Sequence, residues 1–268
     1  MTRGGLSSYG ALVMGLVCAL LGAISDAGAI GGDAENTQVS SGSINTGVFG
    51  AIAFPIRNLP ISSRWEQIYG AMEGCGDAAV CRSNDPVMHK LALDMRRKGL
   101  VDKLGTINRF VNHSIRYRSD RDLYGVIDYW ATPEEILNHK AGDCEDIAIV
   151  KMFALVQAGI PPDVMAIVVV RDEAHGAYHA VLSVAAEGEI YILDNLRDDV
   201  LNDTAYKSYV PLYSLSAGHS WVYGFKHGAG PASVSGSLSK METIAPGYGP
   251  YWSNAGRIRC CRALPYRW

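Results

Sequence analysis

The feature that most constrains how this chain can fold is a long apolar segment that follows an acidic stretch. Residues 147–156 are almost entirely apolar, and Gly159 with two prolines after it forms a helix stop signal. A helix that is apolar around most of its circumference has to be buried on most sides. The chain therefore needs one sizeable core around this helix, and its 268 residues are enough to build one.

The start of this helix carries acidic residues and a candidate nucleophile. Asp143 is a good N-cap, and Glu145 and Asp146 fall in the first turn, where the helix dipole favours acids. Cys144 is then the first helical residue. A thiol attacks a carbonyl carbon only as the thiolate, and a helix N-terminus is one of the environments that lower the pKa of a thiol.

Three segments typical of β-strands follow the helix. They cover residues 165–170, 178–184 and 190–193, and the last of them ends at Asp194. We expect the second and third to form a hairpin. A turn centred between Ala186 and Glu187 places His179 opposite Asp194, about 5 Å apart at the backbone.

The order of cysteine, helix, strand histidine and strand aspartate predicts a catalytic triad. Cys144 has the role of nucleophile, His179 that of base, and Asp194 that of the group that orients the imidazole. His175 is the competing base, although its place on the loop before the strand fixes it less firmly.

The segments before residue 117 read as a helical N-terminal flank. Ser62 and Ser63 can cap a helix that carries Trp65 and Ile68, and a longer helical region begins near Pro86. With the buried helix and the hairpin, these elements predict an α+β fold in which the nucleophile helix packs on an antiparallel sheet. We expect the folded domain to span residues 61–227, between an irregular leader at 30–60 and a Gly-rich C-terminal extension at 228–268.

Residues 1–29 have the layout of a signal peptide, with an uncleaved anchor as the alternative. No later stretch is long and apolar enough to span a membrane, so we expect an exported, periplasmic domain. Export favours disulfides, and removal of the signal leaves an odd number of cysteines, of which Cys144 is the one we expect to stay free. The others are Cys75, Cys81, Cys260 and Cys261.

Four motifs resemble those of the bacterial transglutaminase-like cysteine proteinases, including the LapG-type periplasmic proteases. They are DYWATPEE at residues 128–135, GDCED at 142–146, HAVL at 179–182 and LDN at 193–195. The resemblance spans residues 104–221. It implies a papain-like/transglutaminase-like core with a Cys-His-Asp triad at Cys144, His179 and Asp194.

The acids around the cysteine indicate a metal site. Asp143, Glu145 and Asp146 crowd a thiol that must ionise, and nearby negative charge raises the pKa of a thiol. A Ca²⁺ ion held by these carboxylates would offset that charge. The resemblance implies the same, since calcium beside the cysteine supports activity in LapG-type members, whereas ordinary helix capping by the same residues is the alternative.

Three functions remain open from the sequence. The first is an exported thiol endopeptidase, the second an acyl transferase with the same triad, and the third a non-catalytic binding module with Cys144 in a disulfide. A net charge of −3 gives no basic field for nucleic acid. The resemblance implies a large surface adhesin as the protein substrate and an inner-membrane receptor as the regulator.

Overall fold

The computed structural model describes residues 47–72, 85–225 and 244–247. The predicted signal peptide and the cysteines other than Cys144 lie outside these ranges. Among the described residues, no helix has both the length and the hydropathy to cross a membrane.

The described chain has six α-helices, and three of them start after a residue whose side chain caps the helix. Asp85 accepts hydrogen bonds from the first turn of its helix, and Thr132 forms a capping box with Glu135. The predicted helical region after Pro86 is two helices, interrupted at residues 96–99. The helices are α1 Ser62–Met72, α2 Pro86–Met95, α3 Leu100–Ser114, α4 Asp120–Leu123, α5 Pro133–His139 and α6 Cys144–Gln157.

The main sheet has seven antiparallel strands, in the spatial order β1-β9-β8-β4-β5-β6-β7. A separate parallel pair, β2-β3, precedes α6. The strands are β1 Ile52–Ile56, β2 Arg116–Tyr117, β3 Ala141–Gly142, β4 Met165–Asp172, β5 Ala177–Ala186, β6 Glu189–Leu193, β7 Leu201–Asn202, β8 Tyr209–Ser216 and β9 His219–Gly224.

Helix α6 is buried at every position, as its apolar sequence predicts. It belongs to the main core cluster, which also includes Ala180, Leu182 and Val184 from one face of β5. The alternate residues of β4 and β5 lie in a second cluster, which includes Val168 and Val181. The central strands β4 and β5 are therefore buried on both faces. The α+β architecture with the nucleophile helix against an antiparallel sheet is confirmed.

The hairpin between β5 and β6 forms, but its turn lies one residue later than predicted. Glu187 and Gly188 both have positive φ, 55° and 80°, as a two-residue hairpin turn requires. Ala186 therefore pairs with Glu189, and the turn is centred between Glu187 and Gly188.

This shift makes the predicted cross-strand pairing of His179 with Asp194 wrong. The β5-β6 ladder ends where Leu182 pairs with Leu193, and His179 pairs with Val170 of β4 instead. Asp194 directly follows β6, so its side chain reaches His179 from a loop.

Two segments assigned as irregular are part of the folded structure. Residues 52–56, inside the predicted leader, form β1 at the edge of the sheet, where Pro55 is tolerated although it cannot donate to a ladder. Residues 244–247, inside the predicted extension, also pack on the domain, and Ala245 is 7% exposed.

Candidate active site

The sulfur of Cys144 lies at the point where α6 meets β5. Cys144 is a free thiol with 1% exposure, as expected from the cysteine count. Its Sγ–H donates to Glu145 Oε2 at 3.3 Å, and the backbone N–H of Ala180 donates to the sulfur. Burial, followed by the charge of Asp143, raises the pKa of the Cys144 thiol well above its ordinary value, and the hydrogen bond from the Ala180 N–H opposes the rise.

The imidazole of His179 and the carboxylate of Asp194 form a buried pair. His179 Nε2 lies 2.9 Å from Asp194 Oδ1, and both side chains are fully buried. Burial alone would raise the pKa of Asp194. The charge of His179 and the hydrogen bonds to the carboxylate outweigh burial and lower that pKa to about 2. Asp194 is therefore ionised, and Nε2–H is the donor.

Further groups fix Asp194 in place. Tyr209 on β8 donates its hydroxyl to Asp194 Oδ2 at 2.8 Å, and the Leu196 N–H donates to Oδ1 at 2.9 Å. The Asn112 side chain on α3 donates to the Asp194 backbone carbonyl at 3.1 Å. Three separate elements thus set the position of this carboxylate, which is the property that an orienting group needs.

The predicted acids at the start of α6 are buried, and two acids from an earlier segment join them. We call these five residues the acidic cluster: Asp120, Asp128, Asp143, Glu145 and Asp146. Three groups of three residues each bring one possible metal-ligand atom per residue within 4.8 Å of the others. The groups are Asp143, Cys144 and Glu145; Asp120, Asp128 and Glu145; and Asp120, Asp143 and Asp146. Asp128 is exposed, whereas the other four are buried.

Helix capping does not account for the acidic cluster. Asp143 occupies the N-cap position, but its side chain makes no capping hydrogen bond. The Ala131 N–H donates to Asp146 Oδ1 at 3.0 Å, and the Tyr129 N–H donates to Asp120 Oδ2. These contacts hold the carboxylates in place from outside the cluster. The expectation that Asp143 caps α6 through its side chain is therefore wrong.

Each of the four buried members has one oxygen that receives no hydrogen bond from an N–H or hydroxyl group. Asp143 and Glu145 are within hydrogen-bond reach of each other, and a bond between two carboxyl groups requires one of them to be protonated. Within the described ranges, no ion pair involves any of these carboxylates. Such an arrangement is unfavourable without a cation. Several carboxylate oxygens converging in one place are the ligands that Ca²⁺ prefers, so the residues fit that ion. The oxygens that receive no bond from an N–H or hydroxyl group are Asp120 Oδ1, Asp143 Oδ1, Glu145 Oε1 and Asp146 Oδ2.

The pKa values of these carboxyl groups follow from burial and mutual repulsion. Burial, with added repulsion from neighbouring carboxylates, raises the pKa of Asp143, Glu145 and Asp146 well above the ordinary range. Burial likewise raises the pKa of Asp120 to about 7. The cluster therefore opposes its own ionisation and that of the adjacent thiol.

Comparison with known proteins identifies the family. Residues 64–226, more than half of the chain, match the family model of the bacterial transglutaminase-like cysteine proteinases. The chain belongs to this family. It is accordingly a cysteine peptidase with a transglutaminase-like fold.

Solved structures include proteins similar to this proteinase. Calcium-bound LapG from Legionella pneumophila is 27% identical, with 67% of this chain and 97% of that one covered and a TM-score of 0.46. The EGTA-treated form of LapG is 28% identical over 65% of this chain and 97% of that one, with a TM-score of 0.48. A search of curated proteins finds no match.

Several residues of this proteinase site could not be identified from the sequence. Asp120 looks like an ordinary acid in the first turn of a short helix, and Asp128 lies in a recognised motif without a distinguishing signal. Tyr209 lies on β8, 15 residues after Asp194, in a segment to which the sequence analysis assigned no strand. The competing base, His175, instead pairs with Asp172 at the end of β4.

Proposed function

We propose that this proteinase is an exported endopeptidase in which Cys144 is the nucleophile, His179 the base and Asp194 the orienting group. The observation that carries the proposal is the buried His179–Asp194 hydrogen bond at 2.9 Å. It lies next to Ala180, whose N–H reaches the Cys144 sulfur. A free thiol at a helix start and an anchored imidazole on the neighbouring strand are what thiol catalysis requires.

The proposed reaction follows from which ring nitrogen Asp194 engages. Because Asp194 binds Nε2, the Cys144 proton passes to Nδ1 of His179. The thiolate then attacks the carbonyl carbon of the scissile peptide bond, and the resulting imidazolium protonates the leaving amine. Water, deprotonated by His179, attacks the thioester carbon, which releases the carboxylic acid and restores the thiol.

We propose that the acidic cluster holds Ca²⁺. The support is the convergence of its ligand oxygens, which lie within 4.8 Å of one another in each group, and the absence of a compensating ion pair in the described chain. Asp128 adds an exposed carboxylate to the same ligand set. When bound, the ion supplies positive charge that offsets these carboxylates beside Cys144.

The proposed substrate is a large cell-surface adhesin, cut in the periplasm under the control of an inner-membrane receptor. Support for the substrate, the compartment and the receptor comes from the resemblance of the sequence motifs. The contacts of the site support peptide hydrolysis in general.

The experiment compares surface proteins released by cells that carry the wild type or Cys144→Ala. Because the variant lacks the nucleophile, we expect at least one large surface protein to stay attached only in the variant cells. Purified wild type should release that protein from the variant cells, and purified Cys144→Ala should not. Identical release by both proteins would contradict the proposal.

A second assay separates hydrolysis from acyl transfer. A labelled primary amine is incubated with the purified protein and a glutamine-containing protein. We expect no stable incorporation, since water is the proposed acceptor. Incorporation that depends on Cys144 would replace the peptidase with a transferase. A disulfide-linked Cys144 would have favoured the binding module, but the thiol is free.

A further inference from the structure

Residues 244–247 of the C-terminal extension lie against the proposed active site. The segment is Ile-Ala-Pro-Gly. Ile244 packs against the main core cluster, Ala245 is 7% exposed, and Pro246 and Gly247 are buried. A stretch from a Gly-rich extension is therefore seated on the domain.

The contacts of Gly247 involve the residues that immediately precede the nucleophile and the base. The Gly247 N–H donates to the backbone carbonyl of Tyr178 at 3.3 Å, and Tyr178 precedes His179. The α-carbon of Gly247 approaches Asp143, which precedes Cys144. Gly247 thus lies between the two segments that carry the proposed sulfur and imidazole.

Tyr117 completes the recognition of the Gly247 backbone. Its hydroxyl donates to the Gly247 carbonyl at 3.1 Å. Tyr117 lies on β2 and pairs with Gly142 of β3, just before the start of α6. Both backbone groups of Gly247 are therefore hydrogen-bonded by the domain.

The position of Gly247 excludes a side chain. A Cβ atom there would lie 2.6 Å from Asp143 Oδ2 and 2.8 Å from Asp143 Cγ. Gly247 also has φ of +75°, where residues with a side chain are strained. The side chain of Asp143 therefore leaves room only for glycine at this position.

We infer that Tyr117, Asp143 and the Tyr178 carbonyl form a glycine-selective subsite for substrate peptides, which residues 244–247 occupy in cis as an autoinhibitory segment. This inference rests on the proposed function and adds a substrate preference and a regulatory contact. Backbone groups recognised here belong to any peptide, so an incoming segment with glycine at this position competes with Gly247. The extension has to leave before such a substrate binds.

The test compares two glycine substitutions in the full chain. Gly247→Ala places a methyl group against Asp143, whereas Gly50→Ala adds the same strain at φ +75° where no atom lies within 4 Å. The readout is the rate at which iodoacetamide alkylates Cys144, measured by mass spectrometry in Ca²⁺. We expect alkylation about tenfold faster in Gly247→Ala, because two hydrogen bonds of the segment are lost, and a wild-type rate in Gly50→Ala.

A peptide probe then tests selectivity at the vacated subsite. Blocked Ile-Ala-Pro-Gly should slow alkylation of Gly247→Ala toward the wild-type rate, whereas blocked Ile-Ala-Pro-Ala should not. Tyr117→Phe in the Gly247→Ala background should weaken binding of the glycine peptide about fivefold in calorimetry, because it removes one hydrogen bond.

Calorimetry also separates this inference from the proposed function. If Cys144 proves catalytically silent but Gly247→Ala binds the glycine peptide in preference to the alanine peptide, the subsite stands and the peptidase fails. Equal binding of the two peptides, no binding, or alkylation of Gly247→Ala at the wild-type rate would overturn the inference.

Discussion

Asp194 and the four buried members of the acidic cluster are all removed from solvent, yet their pKa values shift in opposite directions. The pKa of Asp194 falls to about 2, because His179, Tyr209 and the Leu196 N–H surround its carboxylate with donors. The pKa values of Asp143, Glu145 and Asp146 rise, because burial is reinforced by the repulsion of neighbouring carboxylates rather than offset by donors.

The difference lies in what the protein supplies around each charge. Buried Lys151 on α6 interacts electrostatically with Asp194, whereas no described ion pair reaches the acidic cluster. Burial of a charge is tolerable only when partners balance it. The chain itself supplies the partners of Asp194, whereas the described residues supply no cationic partner for the acidic cluster, which is the role proposed for Ca²⁺.

Removal of the Asp194 charge should have the largest effect. Asp194→Asn keeps the shape but loses the carboxylate that orients His179, so we expect kcat to fall about 10³-fold. The assay is release of the surface protein identified through Cys144→Ala.

The matched control for this change is Asp198→Asn. Asp198 pairs with His113 at the same 2.9 Å distance, but that pair is partly exposed. Exposed pairs contribute about 0–1 kcal/mol, so kcat should change little. A folded Asp194→Asn variant with kcat within about tenfold of wild type would contradict the orienting role.

Calcium should stabilise the acidic cluster and leave the Asp194 pair unchanged. At about 100 times Kd, Ca²⁺ adds about 2.7 kcal/mol to the free energy of unfolding, which raises Tm by about 5–10 °C. Calorimetry in Ca²⁺ and in EGTA measures this difference.

Asp120→Asn should remove most of the calcium-dependent rise in Tm. In EGTA the same substitution should raise Tm, because it removes one repelling carboxylate. Asp122→Asn, on the same helix but exposed, should keep the wild-type response. Equal Tm values for the wild type in Ca²⁺ and EGTA would rule out the calcium site.

Lys151 gives the Asp194 region its own dependence on pH. Burial lowers the pKa of Lys151 to about 7, with Asp194 and Asp198 opposing the shift. Between pH 7 and the ordinary lysine pKa of 10.5, the unfolded chain binds more protons at this residue, so its contribution makes stability rise with pH.

Lys151→Met should remove this rise and increase the free energy of unfolding at pH 6 by about 1–2 kcal/mol. Urea unfolding at pH 6 and pH 9 measures both effects. The exposed Lys90→Met variant should keep the wild-type pH dependence. Persistence of the full rise in Lys151→Met would show that Lys151 is not its source.

The smallest effect should come from the outer donor to Asp194. Tyr209→Phe removes the hydroxyl at 2.8 Å from Asp194 Oδ2, so stability should fall by about 1 kcal/mol and kcat by about fivefold. Tyr223→Phe removes an equally short buried bond to Ser214 and should lower stability alone. Equal kcat values in the two variants would contradict a catalytic effect of Tyr209.

The sequence predicted the parts of the site that local patterns encode. The apolar run of α6 and its acidic start located Cys144, and the hairpin brought His179 and Asp194 into one region. The exact register was missed because Glu187 adopts positive φ, which is uncommon for a residue with a side chain.

The missing parts depend on contacts between distant segments. Asp120 joins the acidic cluster because the Tyr129 N–H holds it there, and no pattern around Asp120 signals that contact. The sequence did not indicate β1, because Pro55 is unfavourable in a strand. It did not indicate that residues 244–247 pack on the domain, because they lie in a glycine-rich extension. Composition describes what a segment tends to do alone, whereas partners on the domain decide where it packs.

The most direct test of the account is the pKa of the Cys144 thiol, measured as the ultraviolet absorbance of the thiolate in wild type minus Cys144→Ala. We expect the lowest thiol pKa with Ca²⁺ bound and His179 present, and a rise when EGTA removes the cation or His179→Ala removes the imidazole. A thiol pKa that is the same in Ca²⁺ and in EGTA, and unchanged by His179→Ala, would contradict the account.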